Sequence, residues 1–283
     1  MNRIVYVNGD YVAEQDAKIS IFDRGFIFGD GVYEVVPVIR SKLVDRQYFI
    51  ERLRRSLGEL QIAWPCTEGE YIEVMQQLIV RNQLEEGMVY SQVTRGVADR
   101  NFNFPPATPT TLVAFTSKMS VLENPAADTG IKVTTFEDLR WKRRDIKSVN
   151  LLAQCLAKQD AISKGANESW MVEDGFVTEG SSSTAYIVSK GSVITKPLSN
   201  LILPGIRRRT LLEIAELAGI QVVERPFTIA EALGADEAFV SSATTIVTGV
   251  ISIDSHKIAN GKPGPITMQL RNLYKSRMLR EAK

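Results

Sequence analysis

Lys147 lies in the run Arg144-Asp145-Ile146-Lys147-Ser148-Val149-Asn150-Leu151-Leu152, and 32 residues later comes Thr178-Glu179-Gly180-Ser181-Ser182-Ser183-Thr184. A lysine held between a short apolar strand-like run and a helix can condense with an aldehyde through its amine. A carboxylate such as Glu179 can keep a pyridine nitrogen protonated, so that the ring accepts electrons from a substrate carbanion. The hydroxyls of Ser181, Ser182 and Ser183 and the backbone N–H groups of their turn suit a phosphate. In this order the pieces describe one cofactor, pyridoxal phosphate, with Lys147 as its Schiff-base lysine.

Each piece alone is ordinary. A lysine after Lys142-Arg143-Arg144 is commonly a solvated surface residue, and the Thr178–Ser183 run by itself reads as a hydrophilic loop. The pair tips the reading. Ile146, Leu151 and Leu152 are expected to bury the neighbourhood, and desolvation favours the neutral, reactive amine. Such an amine can move a substrate α-proton, first as base and then as acid. Phosphate also needs a cation and convergent N–H donors. Candidates are Arg52, the turn Leu203-Pro204-Gly205-Ile206-Arg207 opening a helix, and Ser241-Ser242-Ala243-Thr244-Thr245 after a strand.

Composition narrows the alternatives. The 283 residues are 44% hydrophobic and 24% charged, with 34 basic against 33 acidic residues. No field of one sign points to nucleic acid or a membrane surface. The first ten residues have no apolar run, so no signal peptide is expected. Cys66 and Cys155 are far apart, which fits free thiols and a cytoplasmic location. The single histidine, His256, excludes His-rich metal sites and reads as a surface turn residue.

The elements that must position these residues follow from periodicity. Ile4–Val7 and Tyr11–Ala13 flank Asn8-Gly9-Asp10, a strong hairpin signal. Strands are expected over 32–39, 88–95 and 111–115, and helices over 45–60 and 68–82. After an aperiodic stretch, strands at 132–136, 170–172, 185–188, 222–223 and 237–241 alternate with helices at 150–164, 206–218, 229–234 and 265–282. The 150–164 helix is expected to bury Leu151, Leu152, Cys155, Leu156 and Ile162. Residues 1–118 read as a small N-terminal domain, 119–130 as a linker and 131–283 as the cofactor-binding domain. The class is mixed α/β or α+β.

Four motifs, spread nearly end to end, carry a resemblance. They are Asp23-Arg24-Gly25 with Phe28-Gly29-Asp30-Gly31-Val32-Tyr33-Glu34, then Gln92-Val93-Thr94-Arg95-Gly96, Asp145-Ile146-Lys147-Ser148 and Thr178–Ser183. The chain resembles the class IV (fold type IV) pyridoxal phosphate-dependent aminotransferases, most closely those acting on D-amino acids. The resemblance implies two domains, the larger with a barrel-like β core, and a homodimer. It makes Lys147 the Schiff-base lysine and Glu179 the partner of the ring nitrogen. Arg52, Ile206, Arg207, Ser242 and Ala243 would hold the phosphate, with Ser182 beside the cofactor. The family's usual threonines after the isoleucine and the serine stand here as Arg207 and Ala243, which keep backbone donors but not hydroxyls.

For the substrate carboxylate the family commonly uses a tyrosine and an Arg-x-His motif. Tyr33 and Arg100 are present, but Phe102 replaces the histidine. Loss of that hydrogen bond would weaken binding by roughly 1.5–3 kcal/mol, and Arg24 and Arg140 are the candidates to compensate. The implied reaction moves an amino group from a D-amino acid such as D-alanine or D-glutamate to a 2-oxo acid, by a ping-pong sequence. Branched-chain L-amino acid and (R)-amine transaminases and aminodeoxychorismate lyase share the fold, and Phe102 keeps them open because an apolar wall suits an apolar substrate. A cofactor-binding protein without catalysis is the remaining reading.

Overall fold

The computed structural model describes residues 3–283. They form two compact units. The first is the chain up to Val121 with Ile146–Asn150 and Met278–Lys283; the second is Leu122–Asp145 with Leu151–Arg277. This differs from the division expected from sequence. The stretch 119–130 contains a short helix, Ala126–Thr129, and the Lys147 segment leaves the second unit for the first. Its backbone explains why: Tyr33 N–H donates to Lys147 O at 3.0 Å, and Val149 N–H to Gly31 O at 3.1 Å.

The first unit has a six-stranded antiparallel sheet, built from β1 (Ile4–Val7), β2 (Asp10–Ala13), β3 (Gly31–Ile39), β4 (Lys42–Leu43), β5 (Glu86–Thr94) and β6 (Thr111–Lys118) in the order β2-β1-β6-β5-β3-β4. Asn8 and Gly9 form the two-residue turn of β1–β2, with φ 48° and 112°, which is why an Asn-Gly pair serves there. The helices are α1 (Arg24–Phe28), α2 (Arg46–Glu59) and α3 (Glu68–Arg81). α2 buries Phe49, Ile50, Leu53 and Leu57, and α3 buries Tyr71, Met75, Leu78 and Ile79. Thr67 and Glu70 close a capping box at the start of α3. Alternate residues of β3 (Val32, Glu34, Val36 and Val38) are buried, while Tyr33 and Val35 are half-exposed.

The second unit holds α4 (Ala126–Thr129), β7 (Ile131–Glu137), α5 (Leu152–Ser163), β8 (Glu168–Glu173), β9 (Phe176–Gly180), β10 (Thr184–Ser189), β11 (Ser192–Thr195), α6 (Ile206–Leu217), β12 (Val222–Glu224), α7 (Ile229–Leu233), β13 (Glu237–Ser242), β14 (Ile246–Ile253), β15 (His256–Lys257) and α8 (Pro265–Glu281). Nine strands run in the order β12-β11-β10-β13-β14-β7-β8-β9, with β15 on β14. The parallel pairs β7·β8 and β11·β12 are joined through α5 and α6, the crossover that parallel pairing demands. The sheet curls back on itself. Val177 N–H donates to Phe227 O at 3.0 Å, and Phe176 bridges Thr228, just beyond the end of β12. Trp170, Ile187, Phe227, Val240 and Val250 fill this barrel-like interior.

One expected face is corrected. In α5 the buried residues are Ala157 and Ala161, whereas Leu152 is 75% exposed, Leu156 51% and Ile162 53%. Cys155 is exposed too. α5 packs beside β7 and β8 with Ala157 and Ala161 buried, and its large apolar side chains are left exposed.

α8 starts on a buried acid. Glu237 accepts from Ile266 N–H at 2.9 Å, Thr267 N–H at 2.8 Å and Thr267 Oγ1 at 2.7 Å. Glu237→Ala leaves these donors without an acceptor and is expected to lower unfolding stability by about 1–3 kcal/mol, measured as a urea midpoint shift at unchanged slope.

Candidate active site

In the first unit, the Lys147 segment runs beside β3 without forming a strand, joined to it by an isolated bridge between Val32 and Ser148. Lys147 N–H donates to Ser56 Oγ at 3.3 Å, and its Nζ is 4.1 Å from the centre of the Tyr33 ring. Ile146 is buried as expected and Lys147 half-buried, but Leu152, expected to cover this neighbourhood, faces solvent. Tyr33 stacks on Tyr90, and Tyr90 on Phe115, at 5.5 and 4.7 Å between ring centres. On the other face of β3, Glu34 holds Arg52 by two bonds, Nε to Oε1 at 2.9 Å and Nη2 to Oε2 at 2.6 Å.

The Asp23-Arg24-Gly25 motif acquires a physical role. Asp23 accepts the Gly25 N–H as the N-cap of α1, and a Cβ on Gly25 would stand 2.3 Å from Thr94 Cγ2. Arg24 and Arg95 both clamp Asp30, with Nε at 2.8 and 2.7 Å from Oδ2. Burial opposes ionisation of Asp30, and the two guanidiniums outweigh it and hold the carboxyl below its ordinary range. Arg24 also donates to Asn101 O at 2.6 Å. It is therefore committed to shaping the Arg100 loop. Arg100 is exposed and leans on two rings, 5.6 Å from the centre of Phe28 and 5.5 Å from Phe102. Phe102 is itself 78% exposed.

In the second unit, Glu179 is buried at the end of β9. Arg140 Nη1 donates to its Oε1, and Leu203 N–H lies 3.2 and 3.3 Å from its two oxygens. Burial holds the Glu179 carboxyl above its ordinary range, and Arg140 and the Leu203 N–H only partly offset it. Arg140 is thus engaged with Glu179 and Asp138, not held in reserve for a substrate.

Ser182 takes a different place from the one expected. Its hydroxyl donates to Glu168 Oε2 at 2.8 Å, Ser183 Oγ donates to the same oxygen at 3.3 Å, and Ser181 Oγ to Oε1. The buried Glu168 gathers the hydroxyls of the turn, so any share of Ser182 in an anion site falls to its backbone. Nothing in the sequence flagged Glu168, which lies eleven residues before Glu179.

Ile206 opens α6 with Gly205 as N-cap and no side chain bonded there. The side chain of Arg207 is buried and held by α8 and by the turn after β13. Its Nη1 donates to Tyr274 Oη at 2.9 Å and its Nη2 to Ala243 O at 3.1 Å. The Ser242–Ile246 turn is held further by Ser242 Oγ, 2.9 Å from Thr245 Oγ1, and by Arg271 Nη1 on Thr245 O at 3.0 Å. Ile246 sits at φ 57°, an uncommon conformation for a β-branched residue that the surrounding bonds must hold. Arg271 was missed from sequence because its role depends on α8 running past this turn. His256 is exposed, as expected, but it opens β15 directly after the Asp254-Ser255 turn rather than lying in the turn, with Nδ1 3.1 Å from Asp254 O.

Comparison with known proteins places the chain. The family described as Amino-transferase class IV matches residues 31–253, and the chain belongs to that family. Among its relatives, D-alanine aminotransferase of Staphylococcus aureus (strain MSSA476) is 42% identical over 272 residues, covering 94% of this chain and 95% of that one. D-alanine aminotransferase of Bacillus licheniformis is 36% identical over 277 residues, covering 98% of each. Among solved structures, the Escherichia coli branched-chain amino acid aminotransferase superposes with a TM-score of 0.93 at 22% identity, covering 100% of this chain and 97% of the other. The protein is an aminotransferase of this class, with its mixed α/β fold.

Proposed function

We propose that the protein is a D-amino acid transaminase, taking the amino group of D-alanine or D-glutamate and giving it to a 2-oxo acid in two half-reactions. Its relatives at 36–42% identity are named D-alanine aminotransferases. Pyridoxal phosphate, the cofactor of the class, accepts and returns the amino group and delocalises the charge left when the α-proton is removed. The chain's donor set fits this group: a half-buried amine at Lys147, a buried carboxylate at Glu179, and the start of α6 at Ile206 without a side-chain cap. Glu179 carries the reading, because a carboxylate held in burial by Arg140 and Leu203 N–H is suited to a protonated ring nitrogen.

Within this reading Lys147 Nζ would hold the cofactor and would move the substrate α-proton, first as base and then as acid, to the cofactor carbon that becomes the amine. Arg52, the N–H groups of Ile206 and Arg207, and the Ser242-Ala243 turn hold the phosphate. Tyr33 and Arg100 receive the substrate carboxylate, Arg100 by its planar fork. The enzyme works as a homodimer. Phe26 at 77% and Ile21 at 70% exposure in the first unit, and Leu152 at 75% in the second, are apolar surface of the kind a second copy covers. No helix among the described residues is long and apolar enough to cross a membrane. With Cys66 and Cys155 unpaired, this is consistent with a cytoplasmic enzyme.

The test is a half-reaction. Protein loaded with pyridoxal phosphate is mixed, without acceptor, with D-alanine, D-glutamate, L-leucine and (R)-1-phenylethylamine in turn. The visible absorption band of the bound cofactor is expected to disappear with the two D-amino acids and to persist with L-leucine. Loss of the band with L-leucine or the amine alone would overturn the substrate assignment. The half-reaction with D-alanine is expected to release one equivalent of pyruvate per bound cofactor, whereas pyruvate formed over many turnovers without any acceptor, from aminodeoxychorismate, would replace transfer by elimination.

A further inference from the structure

Five side chains of alternating charge lead through the second unit to Glu179. Glu173 Oε2 pairs with Arg144 Nη1 at 2.7 Å, and the same Nη1 lies 3.3 Å from Asp138 Oδ2. Asp138 takes Arg140 Nε at 2.9 Å and Nη2 at 2.7 Å, and Arg140 Nη1 reaches Glu179 Oε1. The side chains of Asp138, Arg140, Arg144 and Glu179 are all nine-tenths or more buried. The hydroxyl of Thr178, the residue before Glu179, lies 2.6 Å from Asp138 Oδ2.

The geometry of a guanidinium makes this chain directional. Its donors lie in one rigid plane, so fixing Nε and Nη2 on Asp138 also fixes where Nη1 points. Arg140 is therefore aimed before it meets Glu179. It engages Oε1 only; on Oε2, among the described residues, falls just the shared Leu203 N–H at 3.3 Å. The charge matters as much as the direction. Without Arg140, burial would favour the protonated acid at Glu179. Without Asp138, Arg140 would be a buried cation facing one anion and free to turn.

We propose that Arg140, aimed by Asp138, is a positioning residue that keeps Glu179 a carboxylate with Oε2 presented to the ring nitrogen of the cofactor. This rests on the reading of Glu179 given under the proposed function. One proton is shared between the ring nitrogen and Glu179. A cation beside Glu179 lowers the affinity of the carboxylate for that proton, and so leaves it on the nitrogen.

The experiment reads that proton directly. Protein loaded with pyridoxal phosphate labelled with ¹⁵N in the ring is examined by NMR as wild type, Glu179→Gln, Arg140→Met and the double variant Asp138→Asn/Arg140→Met. Wild type is expected at the protonated position. Arg140→Met is expected to move the resonance toward neutral pyridine and to weaken cofactor binding roughly tenfold. The double variant removes both charges of the buried pair and is expected to show the same displacement, so it carries the test if Arg140→Met alone does not fold. A folded variant lacking Arg140 whose resonance stays at the wild-type position overturns the proposal, even if its melting temperature is lower. If Glu179→Gln also leaves the resonance in place, it is instead the assignment of Glu179 that fails.

Discussion

The Lys147→Ala protein is expected to fold with an unchanged unfolding midpoint and to lose transamination by roughly 10²–10⁴-fold or more. What holds this segment is backbone: Lys147 N–H on Ser56 Oγ, and Tyr33 N–H on Lys147 O. Alanine keeps both. The side chain lies half-buried over the Tyr33 ring, so its removal costs little packing. The chemistry has no substitute, because the one histidine is an exposed residue of the short edge strand β15. Lys147→Arg is expected to be as inactive as alanine, since a guanidinium stays charged at pH 7 and can be neither nucleophile nor base. Single-turnover rates with D-alanine, measured beside urea midpoints, separate the two effects. Transamination at full rate in Lys147→Ala would end the assignment of this lysine.

How much of this was legible beforehand depends on the range over which each feature is determined. The Asn8-Gly9 turn, β3, α2 and α3 were readable because turn chemistry and period are local. Lys147 and Glu179 stand out because their types and flanking residues are unusual as a pair. The α5 face was misread for a physical reason. Leu152, Leu156 and Ile162 have helical spacing, and spacing reports that a stripe is apolar, not that this chain covers it. The small residues Ala157 and Ala161 mark the packed side instead. Ser182 was read toward a phosphate because a serine run offers hydroxyls, but which acceptor takes them is set by Glu168 on β8. Arg140 and Arg24 looked uncommitted in sequence. Their partners, Asp138 and Asp30, are two and six residues away, but only folding turns them toward one another. Lys147 was placed with the C-terminal half because sequence order suggested it, and pairing along β3 is a long-range fact that no local pattern carries.

Glu34→Ala is expected to be the most destabilising of the single changes considered, by about 3–5 kcal/mol, the cost of stranding one partner of a buried ion pair. Glu34 has 0% side-chain exposure and Arg52 9%, and the two bonds between them are parallel and well formed. The pair also makes the role of Arg52 testable. If Arg52 holds the phosphate, bound cofactor supplies the counter-charge that the variant has lost. Pyridoxal phosphate should then raise the unfolding midpoint of Glu34→Ala by more than it raises that of wild type, because ligand stabilisation grows with affinity for the folded state. Pyridoxal, which lacks the phosphate, should show no such difference. An equal stability deficit with and without pyridoxal phosphate would mean that Arg52 serves Glu34 alone. Replacing both partners with apolar residues of similar volume, Glu34→Leu with Arg52→Met, should recover most of the lost stability. If the cofactor nevertheless binds this double variant weakly, the ion pair is retained for its cation: Glu34 keeps the Arg52 guanidinium desolvated, charged and aimed.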